Sequence, residues 1–304
     1  MQPQNLSDLC DALELFATRE DRPITIDNLK DEIPELERSR LEEVFEHAVL
    51  RKNLCGDAYP FDASTQQVRC LRAKHFDPYL FLLYGSNLFL ATGQPAEAIK
   101  GLFRRHFEDF IRSLAACYLG DALVLSEPRA ERGLPVSLRD ALPLVAVRCG
   151  ESAKLFPDDI LDERLSADEN DLGADIVAWL PSVDGFRFGR PVFFVQCATT
   201  RHEAIIETKF REKWKHFCTV WRCGFPREAT TCALATPRDL IDVEPSFWFR
   251  LCELGWVLDR TRIVNMLLHP RRKKPPIPPA VRGVWPSLRA LAVEFDFRHG
   301  WPEN

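Results

Sequence analysis

Two polar residues stand at the ends of neighbouring apolar stretches, and their side chains could take part in chemistry. Asp175 opens the stretch DIVAWL, and Gln196 lies near the end of VFFVQCA. A buried carboxamide without hydrogen-bond partners costs about 1–3 kcal/mol, so Gln196 requires the backbone, another side chain, or a metal ion with its waters. An alternative for Asp175 is a turn residue that hydrogen-bonds its own backbone. The occurrence of both residues on paired strands favours a site over two structural hydrogen bonds.

The sequence lacks the residue spacings of several other kinds of site. None of its ten cysteines forms a CxxC pair, and the closest two are Cys218 and Cys223. Paired zinc ligands are therefore missing, and the cysteines are typical of small apolar residues in a reducing compartment. His106, His202 and His216 form no HxxxH or HxxE motif. The chain also has neither the GxSxG motif of serine hydrolases nor a Walker A phosphate loop.

The predicted elements divide the chain into three segments. Residues 1–74 show three helices followed by a β-ribbon, an order that resembles a winged helix, and we expect them to pack separately. Residues 75–270 contain a helical segment and then, from Phe103, the order helix, strand, strand, strand, helix, strand, helix, strand. Residues 271–304 begin with the proline-rich basic linker RRKKPPIPP. Because the strand stretches are almost continuously apolar, we expect an α/β fold whose sheet is covered on both faces by helices.

Charge and hydropathy restrict the partners. The net charge is −5, but local basic patches such as KFREKWK from Lys209 still allow nucleic-acid binding. The third helix, ELERSRLEEVFEH, carries more acids than bases, which favours protein docking or weak DNA contact over sequence-specific recognition. No stretch approaches the ~18 apolar residues of a membrane span. The N-terminus also lacks the features of a secretory signal, so we expect a cytoplasmic protein with no membrane partner.

The segments GADIVAW and VFFVQCA together resemble the PD-(D/E)xK nuclease superfamily, the core of type II restriction enzymes. The closest pattern is the Mrr-like form, in which G-x-D and two apolar residues precede a strand that ends in Gln-x-Lys. The resemblance covers roughly Phe103 to His269, about half of the chain. It implies a mixed restriction-endonuclease-like sheet flanked by helices, which here follows the α-helical winged-helix-like domain.

The resemblance also implies a site that binds Mg²⁺ (or Mn²⁺). Asp175 is then the principal metal ligand, and Gln196 offers its amide oxygen or orients a bound water. Glu108, on the edge of the apolar stripe of the preceding helix, is the third metal-binding and catalytic candidate, with an ordinary surface acid as its alternative. Ala198 occupies the family's lysine position, so the positive charge must come from the next helix. We expect Lys209 to supply it, with Lys213 as the alternative. A solvated basic face, the commoner role of lysines on helices, is the other interpretation of both residues.

Two functions follow from these observations. One is a metal-dependent endonuclease that hydrolyses the phosphodiester bonds of DNA in bacterial restriction or anti-phage defence, with a protein subunit or a second copy of the chain as partner. The other is a non-catalytic scaffold or DNA-docking subunit of a larger defence complex, with a decayed nuclease fold. The pair of Asp175 and Gln196 favours the enzyme. The acidic net charge and Ala198 favour the scaffold.

Overall fold

The computed structural model describes residues 6–72, 75–88, 91, 93–126, 129–150, 174–181, 191–200, 203–219, 230–268 and 275–294, with the backbone alone for 212–219. The α-helices within these ranges are α1 Leu6–Arg19, α2 Ile26–Glu32, α3 Arg38–Cys55, α4 Pro78–Ser86, α5 Gln94–Leu119, α6 Leu138–Arg148, α7 Glu203–Thr219, α8 Pro245–Leu254, α9 Arg260–Leu268 and α10 Pro279–Val293. The strands are β1 Ile24–Thr25, β2 Phe61–Ala63, β3 Gln67–Cys70, β4 Asp121–Val124, β5 Ile176–Trp179, β6 Val192–Cys197, β7 Thr230–Ala235 and β8 Trp256–Leu258. None of the helices described is long and apolar enough to span a membrane.

The N-terminal elements combine three helices with a small sheet. The strand order is β1-β3-β2, and both pairings are antiparallel. Thr25 caps α2, because its hydroxyl oxygen accepts a hydrogen bond from the Asn28 amide over 3.2 Å. Asn28 returns the interaction, since its Oδ1 accepts from the Thr25 amide over 3.3 Å. This reciprocal cap fixes where the second helix starts and therefore how it meets α3.

A mixed five-stranded sheet forms the centre of the rest of the chain. Its order is β4-β5-β6-β7-β8. The first three strands pair antiparallel, whereas β6, β7 and β8 run parallel. The stretches of Asp175 and Gln196 become the neighbours β5 and β6, with Ile176 opposite Val195. The prediction that they form adjacent strands of one sheet is confirmed.

Helices cover both faces of this sheet. Along β5, Ile176 and Ala178 join the apolar cluster that includes residues of α4, α5, α9 and α10. Val177 and Trp179 join a second cluster with residues of α6, α7 and α8. The side chains thus alternate between two buried layers. The predicted α/β class with a sheet covered on both sides by helices is confirmed.

The expectation that residues 1–74 pack separately is wrong. Their apolar side chains, among them Leu13 and Phe45, belong to the same cluster as Ile263 of α9 and Trp285 of α10. A buried ionic network crosses the same boundary: Arg51 of α3, for example, pairs with Asp239, which follows β7. The segment boundaries at 74 and 270 remain predictions, but the N-terminal helices and the sheet share one core.

Candidate functional site

Asp175 and Gln196 meet across the ends of β5 and β6. Extending the strand register by one residue beyond Ile176 and Val195 places them opposite each other. Gln196 Nε2 donates a hydrogen bond to Asp175 Oδ2 over 2.9 Å, and the Cys197 amide donates to the same oxygen over 2.6 Å. The two residues are only 6% and 7% exposed. The Asp175 carboxylate is therefore held by the neighbouring strand.

The other end of the Gln196 carboxamide lacks such a partner. Its Oε1 is buried and accepts no hydrogen bond from any residue that the structure describes. A buried acceptor without a donor costs about 1–3 kcal/mol. An unpaired oxygen beside a carboxylate is a suitable ligand for a hard cation or for a water bound to one.

The strand on the other side of β5 connects Asp175 to a second group of polar residues. The Leu125 amide, just after β4, donates to the Asp175 carbonyl oxygen over 2.7 Å. The next residue, Ser126, donates its hydroxyl hydrogen to Glu108 Oε2 of α5. Glu108 and Asp175 are thus hydrogen-bonded to Ser126 and Leu125, respectively, the two residues that follow β4.

Glu108 is a largely buried acid with defined partners. Its side chain is 15% exposed, and its Oε2 lies 3.2 Å from Arg132 Nη1. Burial raises the pKa of Glu108, and the hydrogen bond from Ser126 and the charge of Arg132 oppose that rise. The ordinary surface position considered for Glu108 is therefore not what the structure shows.

The thiol of Cys197 lies within the electrostatic reach of both acids. Burial raises its pKa well above the ordinary value, and the charges of Asp175 and Glu108 raise it further, whereas Arg132 lowers it. Cys197 is consequently protonated at neutral pH and is unsuited to act as a nucleophile. Its contribution to the site is the backbone amide that binds Asp175.

The cation expected from the next helix is not placed against these residues. Lys209 is exposed on α7, whose neighbouring Ile206 and Phe210 are buried against the sheet. The side chain of Lys213 lies outside the described residues. Ala198 is fully buried, and its amide donates to the Ala235 carbonyl oxygen over 2.8 Å. The role of Lys209 remains a prediction.

Arg132 is a cation of this region that the sequence reasoning missed. It ends the 3₁₀ turn Arg129–Arg132, and its Nη1 donates to the carbonyl oxygen of Ser126 over 3.0 Å and to its hydroxyl oxygen over 2.7 Å. No motif in the sequence indicates this position, because the contact depends on how the turn folds back towards α5. Ser126 was missed for the same reason.

The residues present fit a cation bound mainly through oxygen atoms. Within the described ranges, no group of three His, Cys, Asp or Glu side chains is arranged to hold a metal ion. Asp175 and Gln196, whose side chains are hydrogen-bonded to each other, nevertheless bring a carboxylate and a carboxamide to the same end of β5 and β6. Mg²⁺ sites commonly use only one or two carboxylates, with waters completing the coordination shell.

Comparisons with known proteins do not assign a family or a function to this site. No protein-family model, no curated protein and no solved structure matches the chain.

Proposed function

We propose that the chain is a metal-dependent DNA endonuclease of the PD-(D/E)xK type that acts in restriction or anti-phage defence. One observation carries the proposal. Asp175 is buried and fixed by β6, and the adjacent Gln196 keeps a buried carboxamide oxygen without a hydrogen-bond donor among the described residues. A purely structural glutamine would satisfy that oxygen, whereas a metal ligand leaves it available.

The order of the elements supports the same proposal. Apart from α6, which lies between β4 and β5, the chain runs α5, β4, β5, β6, α7, β7, with three antiparallel strands followed by a parallel one. This is the helix-strand-strand-strand-helix-strand order on which the resemblance to restriction enzymes rests. The N-terminal order of three helices and a β1-β3-β2 sheet supports a winged-helix-like module in front of it.

In this function each residue has a specific task. Asp175 and Gln196 hold the cation, and the hydrogen bond from Gln196 Nε2 keeps the Asp175 carboxylate in one orientation. Glu108 adds a second carboxylate near the end of β4, where Ser126 donates a hydrogen bond to it. When bound, Mg²⁺ or Mn²⁺ would neutralise charge on the phosphate and lower the pKa of a coordinated water. Burial excludes bulk water and strengthens these interactions.

The test is cleavage of supercoiled plasmid by the purified chain in Mg²⁺ and, separately, in Mn²⁺. Asp175→Ala should abolish cleavage because it removes the principal ligand. The matched control is Asp121→Ala, which removes an exposed acid from β4 of the same sheet and should cut at the wild-type rate. Cleavage by the Asp175 variant at the wild-type rate would refute the proposed site.

A non-catalytic docking subunit is the second candidate, and a separate observation favours it. Glu42, Glu43 and Glu46 are exposed along α3, and Arg38 and Arg40 of the same helix are paired with the first two of them. This pairing favours a protein partner over the phosphates of DNA. This function would be favoured if the folded wild-type chain cut DNA with neither metal and bound the same protein partner as Asp175→Ala.

A further inference from the structure

The candidate site needs a positive charge that its strand does not provide. Phosphodiester hydrolysis builds negative charge on the phosphate, and a positioned cation stabilises it. Ala198 is apolar and buried where the resemblance places a lysine, and Lys209 is exposed. Arg132, in contrast, is anchored beside Ser126 and Glu108, next to the β4 end that holds Asp175.

We infer that Arg132 is the phosphate-binding cation of this site, in place of the missing strand lysine, and this inference rests on the proposed nuclease function. Nη1 is occupied by Glu108 and Ser126. Nη2 is buried and has no hydrogen-bond acceptor among the described residues; it forms a long ion pair with Asp109 Oδ1, at 3.8 Å. The guanidinium is therefore anchored through one nitrogen and has a donor available at the other.

A phosphate oxygen is the acceptor that suits this donor. Arginine remains charged at every relevant pH, and its planar fork matches the geometry of a phosphate. A buried donor without an acceptor carries a desolvation cost that binding an anion relieves. The Arg132 side chain is 14% exposed, so most of it is shielded from bulk solvent.

Hydrogen bonds at the end of β4 place the same guanidinium near the proposed metal ligands. Arg132 Nη1 donates to the Ser126 carbonyl oxygen over 3.0 Å, and the amide of the preceding residue, Leu125, donates to the Asp175 carbonyl oxygen over 2.7 Å. A phosphate bound by Arg132 would lie within the region that Asp175 and Gln196 line.

The test measures DNA binding and cleavage in matched variants. Binding of a fluorescent duplex is followed in Ca²⁺ at several salt concentrations, because each phosphate contact contributes about 0.9 to the slope of log K against log salt. Arg132→Gln should reduce this slope by about one and lower the cleavage rate on the order of 100-fold. Arg105→Gln is the control: it removes an α5 arginine that faces Glu131 of the same turn and is 47% exposed, and it should leave both quantities unchanged.

A second substitution keeps the test decisive if Arg132→Gln does not fold. Arg132→Lys retains the charge and loses the fork, so the slope should stay at the wild-type value while cleavage falls about tenfold. The inference would be overturned if both Arg132 variants cleaved DNA at the wild-type rate. It would also be overturned if the slope of log K against log salt fell by about one in Lys209→Ala but not in Arg132→Gln. If Asp175→Ala is inactive and Arg132→Gln is not impaired, the nuclease function stands and the inference alone fails. If the wild-type chain neither binds nor cuts DNA, both fail.

Discussion

Arg260 and Asp11 lie 249 positions apart in the chain and form a bidentate ion pair, with Nη1 to Oδ1 and Nη2 to Oδ2 both at 2.7 Å. The pair joins α9 to α1 inside the protein, where Arg260 is fully buried. Burial raises the pKa of Asp11, but the charges of Arg260 and Arg51 outweigh it and hold the pKa well below its usual range. The carboxylate therefore stays ionised and connects the N-terminal helices to the rest of the core.

Removing one partner of this pair should destabilise the protein strongly. Arg260→Ala leaves Asp11 buried with fewer cations, and we expect the free energy of unfolding to fall by about 3–5 kcal/mol. Chemical denaturation followed by circular dichroism measures the change. Arg38→Ala is the matched control, because Arg38 pairs with Asp27 and Glu42 at the surface and is 63% exposed; its effect should stay below about 1 kcal/mol. Similar losses in the two variants would contradict the assignment of Arg260 to the core.

The shared core also predicts the behaviour of a truncated chain. Residues 75–304 alone should fail to fold cooperatively, because Arg260 loses Asp11 and the apolar cluster loses side chains such as Leu13 and Phe45. Thermal unfolding of the fragment, monitored by near-ultraviolet circular dichroism, should show no sharp transition. A cooperative transition close to that of the full chain would mean that residues 1–74 are an independent domain.

The sequence predicted those parts of the fold that depend on local pattern. The apolar stretches around Asp175 and Gln196 identified β5 and β6, and the pairing of the two side chains follows from the strand register. The contacts of Arg132 and Arg260 could not be predicted, because they join residues whose proximity is created by tertiary packing. Asp11 and Glu14 on α1 gave a weak signal: they interrupt an apolar helix, yet acids at such positions are also typical of a solvated helix face.

The buried histidine of α3 predicts a pH dependence of stability. Burial, followed by the charge of Arg51, lowers the pKa of His47 from 6.5 to about 4. As the pH falls from about 6.5 to about 4, His47 is therefore protonated in the unfolded chain but stays neutral in the folded chain. Stability should be highest above this window and decrease through it by an amount on the order of 3 kcal/mol.

Substitution of His47 isolates this effect from the carboxyl groups that titrate in the same range. His47→Gln keeps a polar side chain of similar size and cannot be protonated, so its stability should change less between pH 6.5 and pH 4. Urea denaturation at several pH values measures both proteins. The prediction fails if the difference in unfolding free energy between wild type and variant is the same at both ends of the window.

The unpaired oxygen of Gln196 leads to a metal prediction that does not depend on cleavage. In Gln196→Glu, a second carboxylate replaces the carboxamide that now lies 2.9 Å from Asp175 Oδ2. Two buried carboxylates at this distance cannot both ionise without a cation between them, so the variant should melt below wild type in the absence of divalent ions. Mg²⁺ should then raise its melting temperature more than it raises that of wild type, since a ligand that binds only the folded state stabilises it.

Gln196→Met, which has similar volume and no oxygen, should show a smaller Mg²⁺ shift than wild type. The comparison is made at constant ionic strength, so that general screening affects all three proteins alike. Equal Mg²⁺ shifts in the three proteins would show that Gln196 does not face a cation, and the unpaired oxygen would then need a structural explanation.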